Sequence, residues 1–285
     1  MATIVHFPDF MFNNLDLKKG PFFKFLYLLV GVIVGFIHKN TDKELFCFFM
    51  NMFFRKESKI FYKDGLYFKT LDNKTISFPN KRIDRVIINY KKHFNYLLET
   101  YCVSDLSLEE GDKVVDCGSN VGELFYALNI NNSRFNYYGF EPDPITYRSL
   151  NVNLKDTNSK IFDCALGNKN GVANLYLDSE GADSSLVYFG EAKNYSVEIR
   201  TLDSFKLDEI KLLKLEAEGF EYEVLEGAKN TLMNTDLVTV DYGPEKGPEK
   251  NATASEVTDF LYKNNFKLIK TSKYRQVGLF KNKNF

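Results

Sequence analysis

The chain has 285 residues, 44% of them hydrophobic and 26% charged, and this composition excludes a disordered protein. Its net charge of −1 hides an asymmetry, because residues 1–100 carry 16 Lys and Arg against 9 Asp and Glu. This basic stretch is either a solvated surface or a binding surface for an anionic partner such as a phospholipid. The four cysteines are widely spaced, which argues against a disulfide framework or a thiolate zinc site and fits a reducing cytoplasm.

The first predicted elements are the helices of an N-terminal extension over residues 1–60. The run FFKFLYLLVGVIVGFI at 22–37 is 16 residues long with Lys24 inside it, short of the ~20 residues that span a bilayer. A second apolar run, LFCFFMNMFF, follows at 45–54. We expect the two helices to pack on the main domain or to lie in a membrane interface, as a peripheral contact at its inner face rather than a span.

Residues 61–103 connect this extension to the core. The segment YKDGLYFKTLDNKTISF at 62–78 has two runs of alternating apolar residues around DNKT, which predicts a β-hairpin. The apolar residues of 82–103 recur at helical spacing and predict a helix that leads into the next domain.

The third segment, residues 104–285, alternates short apolar strands with helical stretches. The strands are KVVDC, FNYYGFE, KIFDCAL, IKLLKLE and LVTVD. This alternation predicts crossover units and a mostly parallel sheet in an α/β domain. The last stretch, FKLIKTSKYRQVGLF at 266–280, leaves no room for a helix. We therefore expect an antiparallel hairpin at the sheet edge, which brings the sheet to seven strands.

A glycine loop follows the first of these strands. The sequence VVDCGSNVGE places Asp116 at the strand end and Gly118, Asn120 and Gly122 at alternate positions after it. Ligands of open parallel sheets bind at the carboxyl ends of strands, and small residues let the loop approach a ligand closely. Nicotinamide cofactors favour G-x-G-x-x-G instead, and Glu123 would repel a pyrophosphate at the start of the helix. S-adenosylmethionine fits better, since its sulfonium is positive and its ammonium group can face Asp116.

Two more acids belong to the next two strands. Glu141 ends the second strand, 25 residues after Asp116, where a carboxylate accepts both hydroxyl groups of a ribose in dinucleotide folds. Asp163 lies in the third strand, where it can accept the adenine amino group. A single acid at a strand end also serves as a helix cap or a turn former. Three of them beside a glycine loop make a cofactor site the better interpretation.

The segments VVDCGSNVGE, GFEPDP, NVNL, ALGNKNG, TLDSF and LLKLEAEGFEYEVLEGA occur in the order seen in FkbM-type methyltransferases. The resemblance covers residues 100–243, and the last segment is its most specific part. It implies a Rossmann-like class I fold and an S-adenosylmethionine-dependent O-methyltransferase, often one that acts on sugar hydroxyls. Glu216 departs from the family, which usually has Asp there, and the longer side chain displaces the charge. The residues that the resemblance assigns to the cofactor are Asp116, Gly118, Asn120, Gly122 and Glu141.

Carboxylates at the ends of the fourth and fifth strands are the candidate catalytic residues. Glu216 and Glu218 lie two apart and would project on one face of a strand, and Asp241 closes the neighbouring strand. Transfer to a hydroxyl needs a base, and carboxylates that lie close together raise one another's proton affinity. Alternatively, they share a divalent cation such as Mg²⁺ that binds and acidifies the hydroxyl. His93 is a further candidate base if it folds back from the preceding helix.

We therefore expect a cytoplasmic Rossmann-like O-methyltransferase that acts on a sugar hydroxyl of a polysaccharide or glycoconjugate, with no nucleic acid partner. The alternative is a catalytically silent protein of this fold that serves as a binding or scaffold subunit in envelope glycan assembly. A nicotinamide oxidoreductase is a weaker third interpretation. The polar loop at 178–194 is expected either to cover the substrate site as a lid or to connect two additional strands.

Overall fold

The computed structural model describes residues 7–16, 18–54, 59–72, 74–130, 134–177, 184–186 and 193–285. The chain divides into two compact units, Met1–His93 and Phe94–Phe285. Most of the polar loop at 178–194 lies outside the described residues, so its role as a lid stays a prediction.

The first unit combines helices with a small sheet. Pro21 opens the long helix, because a proline at the first helical position lacks only an N–H that has no helical partner. The Asp42 side chain caps the next helix by accepting the N–H of Lys43 at 2.9 Å. The elements are α1 (Asp9–Phe12), α2 (Pro21–Asn40), α3 (Lys43–Phe53), β1 (Ile60–Lys63), β2 (Leu66–Leu71), β3 (Lys74–Phe78) and a 3₁₀ helix (Lys81–Val86).

The strands β1, β2 and β3 form one antiparallel sheet in that order. The sequence predicted only two strands over this stretch. The first predicted run in fact contains a tight turn, because Asp64 and Gly65 both have positive φ (50° and 79°). An Asp-Gly pair in that conformation is a strong hairpin signal, and it divides the run into β1 and β2.

The second unit holds the large sheet. The helix α4 (Tyr90–Thr100) leads into it across the boundary between the units. The strands are β4 (Lys113–Cys117), β5 (Asn136–Phe140), β6 (Ser159–Phe162), β7 (Cys164–Leu166), β8 (Gly171–Leu177), β9 (Ser184–Ser185), β10 (Lys193–Arg200), β11 (Ile210–Leu215), β12 (Thr235–Asp241), β13 (Pro244–Lys246), β14 (Asn251–Ala252), β15 (Phe266–Thr271) and β16 (Val277–Asn282). The helices are α5 (Glu123–Leu128), α6 (Pro144–Leu154), α7 (Glu221–Glu226), α8 (Lys229–Met233), α9 (Ala254–Lys263) and a 3₁₀ helix (Leu202–Phe205).

The large sheet has seven strands in the order β15-β16-β12-β11-β4-β5-β6. Among these seven strands only β16 runs in the opposite direction, since it pairs antiparallel with both β12 and β15. The predicted α/β fold, with a mostly parallel seven-stranded sheet and a C-terminal antiparallel hairpin, is confirmed. Buried Val, Leu and Phe side chains fill the core, as expected for parallel strands that are covered on both faces.

A smaller sheet has the strand order β7-β10-β8-β9, and its strands come between β6 and β11 of the large sheet along the chain. The predicted third strand, KIFDCAL, is divided between the two sheets. Its first half is β6 of the large sheet and its second half is β7 of the small one, with Asp163 between them. The chain therefore leaves the large sheet at Asp163.

The topology defines where a ligand can bind. The chain adds β5 and β6 on one side of β4, and then returns to add β11 and β12 on the other side. Ligands of such sheets bind outside the carboxyl ends of the strands at this reversal. Asp116, Glu141, Glu216 and Asp241 lie at or just beyond the carboxyl ends of β4, β5, β11 and β12, respectively.

Candidate active site at the carboxyl ends of the central strands

The loop after β4 has an alternating left-handed backbone. Gly118, Asn120 and Gly122 have φ values of 72°, 49° and 89°, a region that glycine and asparagine tolerate best. At Gly118 a side chain is also excluded by packing, because a Cβ atom would lie 2.0 Å from the carbonyl oxygen of Glu216. The small residues thus let the loop pass against the chain that leaves β11.

Glu141 fastens this loop to the next one. Its carboxylate accepts the backbone N–H groups of Asn120 (2.8 Å) and Asp143 (3.0 Å). The residue is only 5% exposed, and burial raises the pKa of its carboxyl to about 7. A carboxylate oxygen has two lone pairs, so both oxygens can still accept a hydroxyl donor such as ribose.

A buried lysine that the sequence did not identify lies between the two central strands. Lys214 of β11 is 2% exposed, and its ammonium lies 3.0 Å from Asp116 and 3.2 Å from Glu216. It also donates to the carbonyl oxygens of Cys117 (3.1 Å) and Gly118 (2.7 Å). Burial opposes its charge, but the nearby carboxylates hold the pKa of Lys214 well above its usual range. Lys214 therefore stays positively charged and holds the start of the glycine loop through these two carbonyl groups.

Asp116 is buried beside this lysine. The carboxylate is 1% exposed and accepts a hydrogen bond from the hydroxyl of Tyr137. Burial raises its pKa, although Lys214 counteracts the effect. Its contact with a cofactor ammonium stays a prediction, and its charge already has a partner within the protein.

Glu216 follows the last residue of β11 and is held as an anion. The hydroxyl of Tyr101 donates to it, and Arg275 lies 2.7 Å away. Burial would raise the pKa of Glu216, but Lys214 and Arg275 outweigh it and lower the value to about 2. A carboxylate with so low a pKa is a weak base near neutral pH.

Arg275 lies in the turn between β15 and β16, and its guanidinium forms ion pairs with three carboxylates. Besides Glu216, its guanidinium lies 2.8 Å from Asp241 and 2.9 Å from Glu245. Burial raises the pKa of Asp241. Burial and the adjacent Asp241 also raise the pKa of Glu245, to about 7, although Arg275 opposes this. One guanidinium shared by three acids does not neutralise them all.

The cluster as a whole has more acids than bases. Its cations are the side chains of Lys214 and Arg275. Its acids are Asp116, Glu216, Asp241 and Glu245. Two negative charges therefore remain uncompensated when all four acids are ionised. Such a site favours a cationic ligand and keeps a proton on its more weakly paired acids.

The expectation that Glu216 and Glu218 project from one face of a strand is wrong. The strand β11 ends at Leu215, and Glu218 and Gly219 have φ values of 50° and 92°, so the chain turns here. The turn is held by Glu221, whose carboxylate accepts the N–H groups of residues 217 and 219 at 2.9 and 3.1 Å. A turn does not have the two-residue alternation of a strand. The catalytic role of Glu218 stays a prediction.

The remaining candidates lie elsewhere. Asp163 is exposed just beyond β6, and its contact with adenine stays a prediction. His93 lies on α4 and belongs to the first unit. Among the described residues no group of three or more His, Cys, Asp or Glu side chains has an arrangement that could hold a metal ion. Two of the acids proposed to share Mg²⁺, Glu216 and Asp241, contact the guanidinium of Arg275 instead, so the alternative of a magnesium site is not supported.

The arrangement fits S-adenosylmethionine. Its positive sulfonium and ammonium would offset the excess negative charge at the ends of β4, β11 and β12. The Glu141 carboxylate retains acceptor capacity for the ribose hydroxyls. The buried hydroxyl of Ser119, in the glycine loop, has no hydrogen-bond partner within the described part of the chain.

A family model described as the methyltransferase FkbM domain matches residues 116–268, which is more than half of the chain. The chain belongs to the FkbM methyltransferase family. The resemblance noted from the motifs is confirmed, and with it a methyltransferase for which S-adenosylmethionine is the supported cofactor. The predicted site residues from Asp116 to Asp241 all fall within the matched segment of this FkbM protein, whereas Tyr101 and Arg275 fall outside it.

Several solved structures are similar to this chain. Methyltransferase FkbM from Methylobacillus flagellatus KT is 16% identical with a TM-score of 0.44, covering 68% of this chain and 55% of its own. A SAM-dependent methyltransferase from Aquifex aeolicus is 12% identical (TM-score 0.41, 67% and 97% covered). The tRNA (uracil-54, C5)-methyltransferase of Pyrococcus abyssi with S-adenosyl-L-homocysteine is 11% identical (TM-score 0.42, 77% and 44% covered). The chain thus spans about half the length of the Methylobacillus protein. No curated protein matches the sequence.

Proposed function

We propose that this FkbM-family methyltransferase transfers a methyl group from S-adenosylmethionine to a hydroxyl of a sugar in a polysaccharide or glycoconjugate. The observation that carries the proposal is the acid-rich cluster around Arg275 beside the glycine loop. Carboxylates and a guanidinium bind the hydroxyl groups of neutral acceptors well, because they supply both acceptors and donors.

Charge argues against nucleic acid as the acceptor. The second unit, Phe94–Phe285, carries 21 Lys and Arg against 30 Asp and Glu. A polyanion would be repelled by such a surface, since nucleic acid binding depends on Lys and Arg that neutralise phosphates. A neutral glycan incurs no such penalty.

The four cysteines are buried and free, which supports a reducing, cytoplasmic location.

The acid best suited to act as the base is Glu245. Its side chain is 23% exposed, whereas Asp241 is 1% exposed and is screened from an acceptor. A base works best when its pKa lies near the working pH, and the pKa of Glu245 is about 7. Asp241 raises the proton affinity of Glu245 by its negative charge, while Glu216 remains ionised and orients Arg275.

Bound S-adenosylmethionine would supply the electrophilic methyl group. The chain's own contribution is to hold the ribose through Glu141, to place the cofactor against the glycine loop, and to receive the proton of the acceptor hydroxyl on the Glu245 carboxylate. As the proton arrives, Arg275 keeps Asp241 and Glu216 in place. Asp163 and Glu218 remain candidates for adenine contact and catalysis, respectively.

A transfer assay tests the acceptor. Purified protein is incubated with methyl-labelled S-adenosylmethionine and with neutral oligosaccharides and glycolipids, RNA, or peptides. We expect label in the carbohydrate fraction, as a base-stable methyl ether. Label in RNA or peptide alone would overturn the acceptor class. Binding of S-adenosylhomocysteine without transfer to any acceptor would indicate the catalytically silent alternative.

A matched pair of variants tests the base. The loop repeats the sequence PEK, so Glu249 occupies in the second copy the place that Glu245 has in the first. Glu249 is exposed, and its carboxylate accepts a hydrogen bond from the side chain of Asn251. We expect Glu245→Gln to lower kcat at least ~100-fold with unchanged S-adenosylhomocysteine affinity, and Glu249→Gln to leave both unchanged. Equal activity of the two variants would exclude Glu245 as the base.

A further inference from the structure

The helix α2 presents an apolar outer face to solvent. The helix has 20 residues and is therefore about 30 Å long. The helix is described along its whole length, and between residues 22 and 36 its outer face carries no polar side chain. The exposed residues of this face are Phe22, Phe25, Leu26, Leu28, Leu29, Val32, Ile33 and Phe36. Soluble proteins rarely leave so long a patch uncovered.

The opposite side of α2 is fastened to the first unit. The hydroxyl of Tyr27 donates to the carbonyl of Met11 at 2.8 Å, and His38 lies 3.1 Å from Asp84. At Gly31 the contact is so close that a Cβ atom would lie 2.0 Å from the ring of residue 7. The helix thus has an inner face that binds its own unit and an outer face without a described partner.

A second apolar stripe and a set of lysines accompany the outer face. On α3, the residues Leu45, Phe48 and Met52 are exposed, at positions that share one side of a helix. Exposed lysines stand at both ends of α2, at positions 18, 19, 39 and 43. The first unit as a whole carries 16 Lys and Arg against 8 Asp and Glu. This combination of charge and apolar surface complements an anionic lipid surface.

We propose that the outer face of α2 binds the surface of an anionic lipid bilayer, with the helix axis in the plane of the membrane. By length and composition alone α2 is the one described helix that could cross a membrane. A crossing would carry Lys24, Tyr27 and His38 into hydrocarbon and would break the contacts of the inner face, which is unfavourable for polar groups. A protein partner would be matched by polar groups among the apolar ones, as interfaces normally are. The inference does not depend on the acceptor of the methyl group.

Single tryptophans test the orientation, because the chain has no Trp and each one introduced is the only such fluorophore. Phe22, Leu29 and Phe36 are seven residues apart and lie on one line along α2. Each is replaced by Trp, and quenching by lipids brominated at a shallow or a deep acyl position is measured on vesicles of phosphatidylcholine with phosphatidylglycerol. For the in-plane helix we expect all three to be quenched most by the shallow bromine. A crossing helix would place residue 29 about 10 Å deeper than the other two, and deep quenching of it alone would overturn the proposal.

Binding itself is tested with a matched control. Met233 is 64% exposed, close to Phe36 of α2 at 68%, but belongs to the second unit. We expect Phe22→Gln with Phe36→Gln to lower the vesicle partition coefficient at least ~10-fold, and Met233→Gln to leave it unchanged. Partition should also weaken as salt rises and on vesicles without phosphatidylglycerol. Equal partition of all variants would overturn the proposal, as would a dimer in solution that the double variant converts to a monomer.

Discussion

Replacement of Glu141 by Gln should change how the stability of the protein depends on pH. Burial raises the pKa of this carboxyl from 4.5 to about 7 in the native state. Between these two pH values the native chain keeps a proton that the unfolded chain has lost. The unfolded state therefore binds fewer protons, and the free energy of unfolding falls as pH rises through this window. The loss is complete above pH 7.

The magnitude follows from the two pKa values. One pKa unit corresponds to about 1.4 kcal/mol, so a rise from 4.5 to about 7 makes roughly 3 kcal/mol of pH-dependent stability. Glutamine cannot ionise and lacks this contribution. The difference in unfolding free energy between the native protein and Glu141→Gln should fall by that amount between pH 4.5 and pH 8. The other buried acids are present in both proteins, and their contributions cancel in the difference.

Urea denaturation of both proteins across this pH range measures the effect. Loss of one hydrogen bond to a backbone N–H in the variant adds an offset that is constant with pH, so the slope is the diagnostic quantity. Parallel stability curves for the two proteins would refute the reasoning. The same variant should bind S-adenosylhomocysteine about 10- to 100-fold more weakly above pH 7, where the ionised carboxylate is the stronger acceptor of ribose hydroxyls.

Three further substitutions address the neighbouring residues. Lys214→Met should destabilise the protein by roughly 3–5 kcal/mol, because it leaves the buried Asp116 without its cation and removes one of the two cations beside Glu216. Lys211→Met, on the same strand but partly exposed, should cost less than about 1 kcal/mol in urea denaturation. Gly118→Ala should abolish S-adenosylhomocysteine binding in calorimetry, since its Cβ would meet a carbonyl oxygen at 2.0 Å; Gly111→Ala, at a similar φ but with no atom within 4 Å, is the control that must retain binding. Arg275→Met should move the acid limb of the kcat profile to higher pH, because loss of the guanidinium raises the pKa of the base, and an unchanged limb would contradict its role.

Much of the second unit follows from the sequence because its signals are local. The alternation of apolar strands and helices predicts the parallel sheet, and the spacing of glycine and asparagine predicts the loop after β4. The position of Glu141 follows from the strand that precedes it. These features depend on neighbours within a few residues, and an acid at the end of a strand faces the ligand crevice wherever the sheet is parallel.

The features that the sequence does not predict depend on contacts between residues far apart in the chain or on the sign of the φ angle at one residue. Lys214 interrupts an apolar strand, and its partner Asp116 is almost a hundred residues away, so its burial is visible only in the fold. Arg275 likewise meets its carboxylates only once β16 lies beside β12. The sequence predicts Glu218 on a strand, because a positive φ at a glutamate is unusual and has no sequence signal. One available signal is the second lysine of IKLLKL, Lys214, because a buried lysine in a central strand requires an acid nearby.

The location of Arg275 has a consequence for how this enzyme can diverge. The segment that matches the family, 116–268, contains the glycine loop, Glu141 and Lys214, but it ends before Arg275 and begins after Tyr101. The two groups that hold Glu216 therefore come from flanking sequence. Drift in these flanks would reshape the acid cluster while the cofactor half stayed intact. A gene segment trimmed to the shared boundaries would encode a protein in which Asp241 and Glu245 lack the guanidinium of Arg275. A minimal domain for crystallisation or engineering must therefore extend through β16.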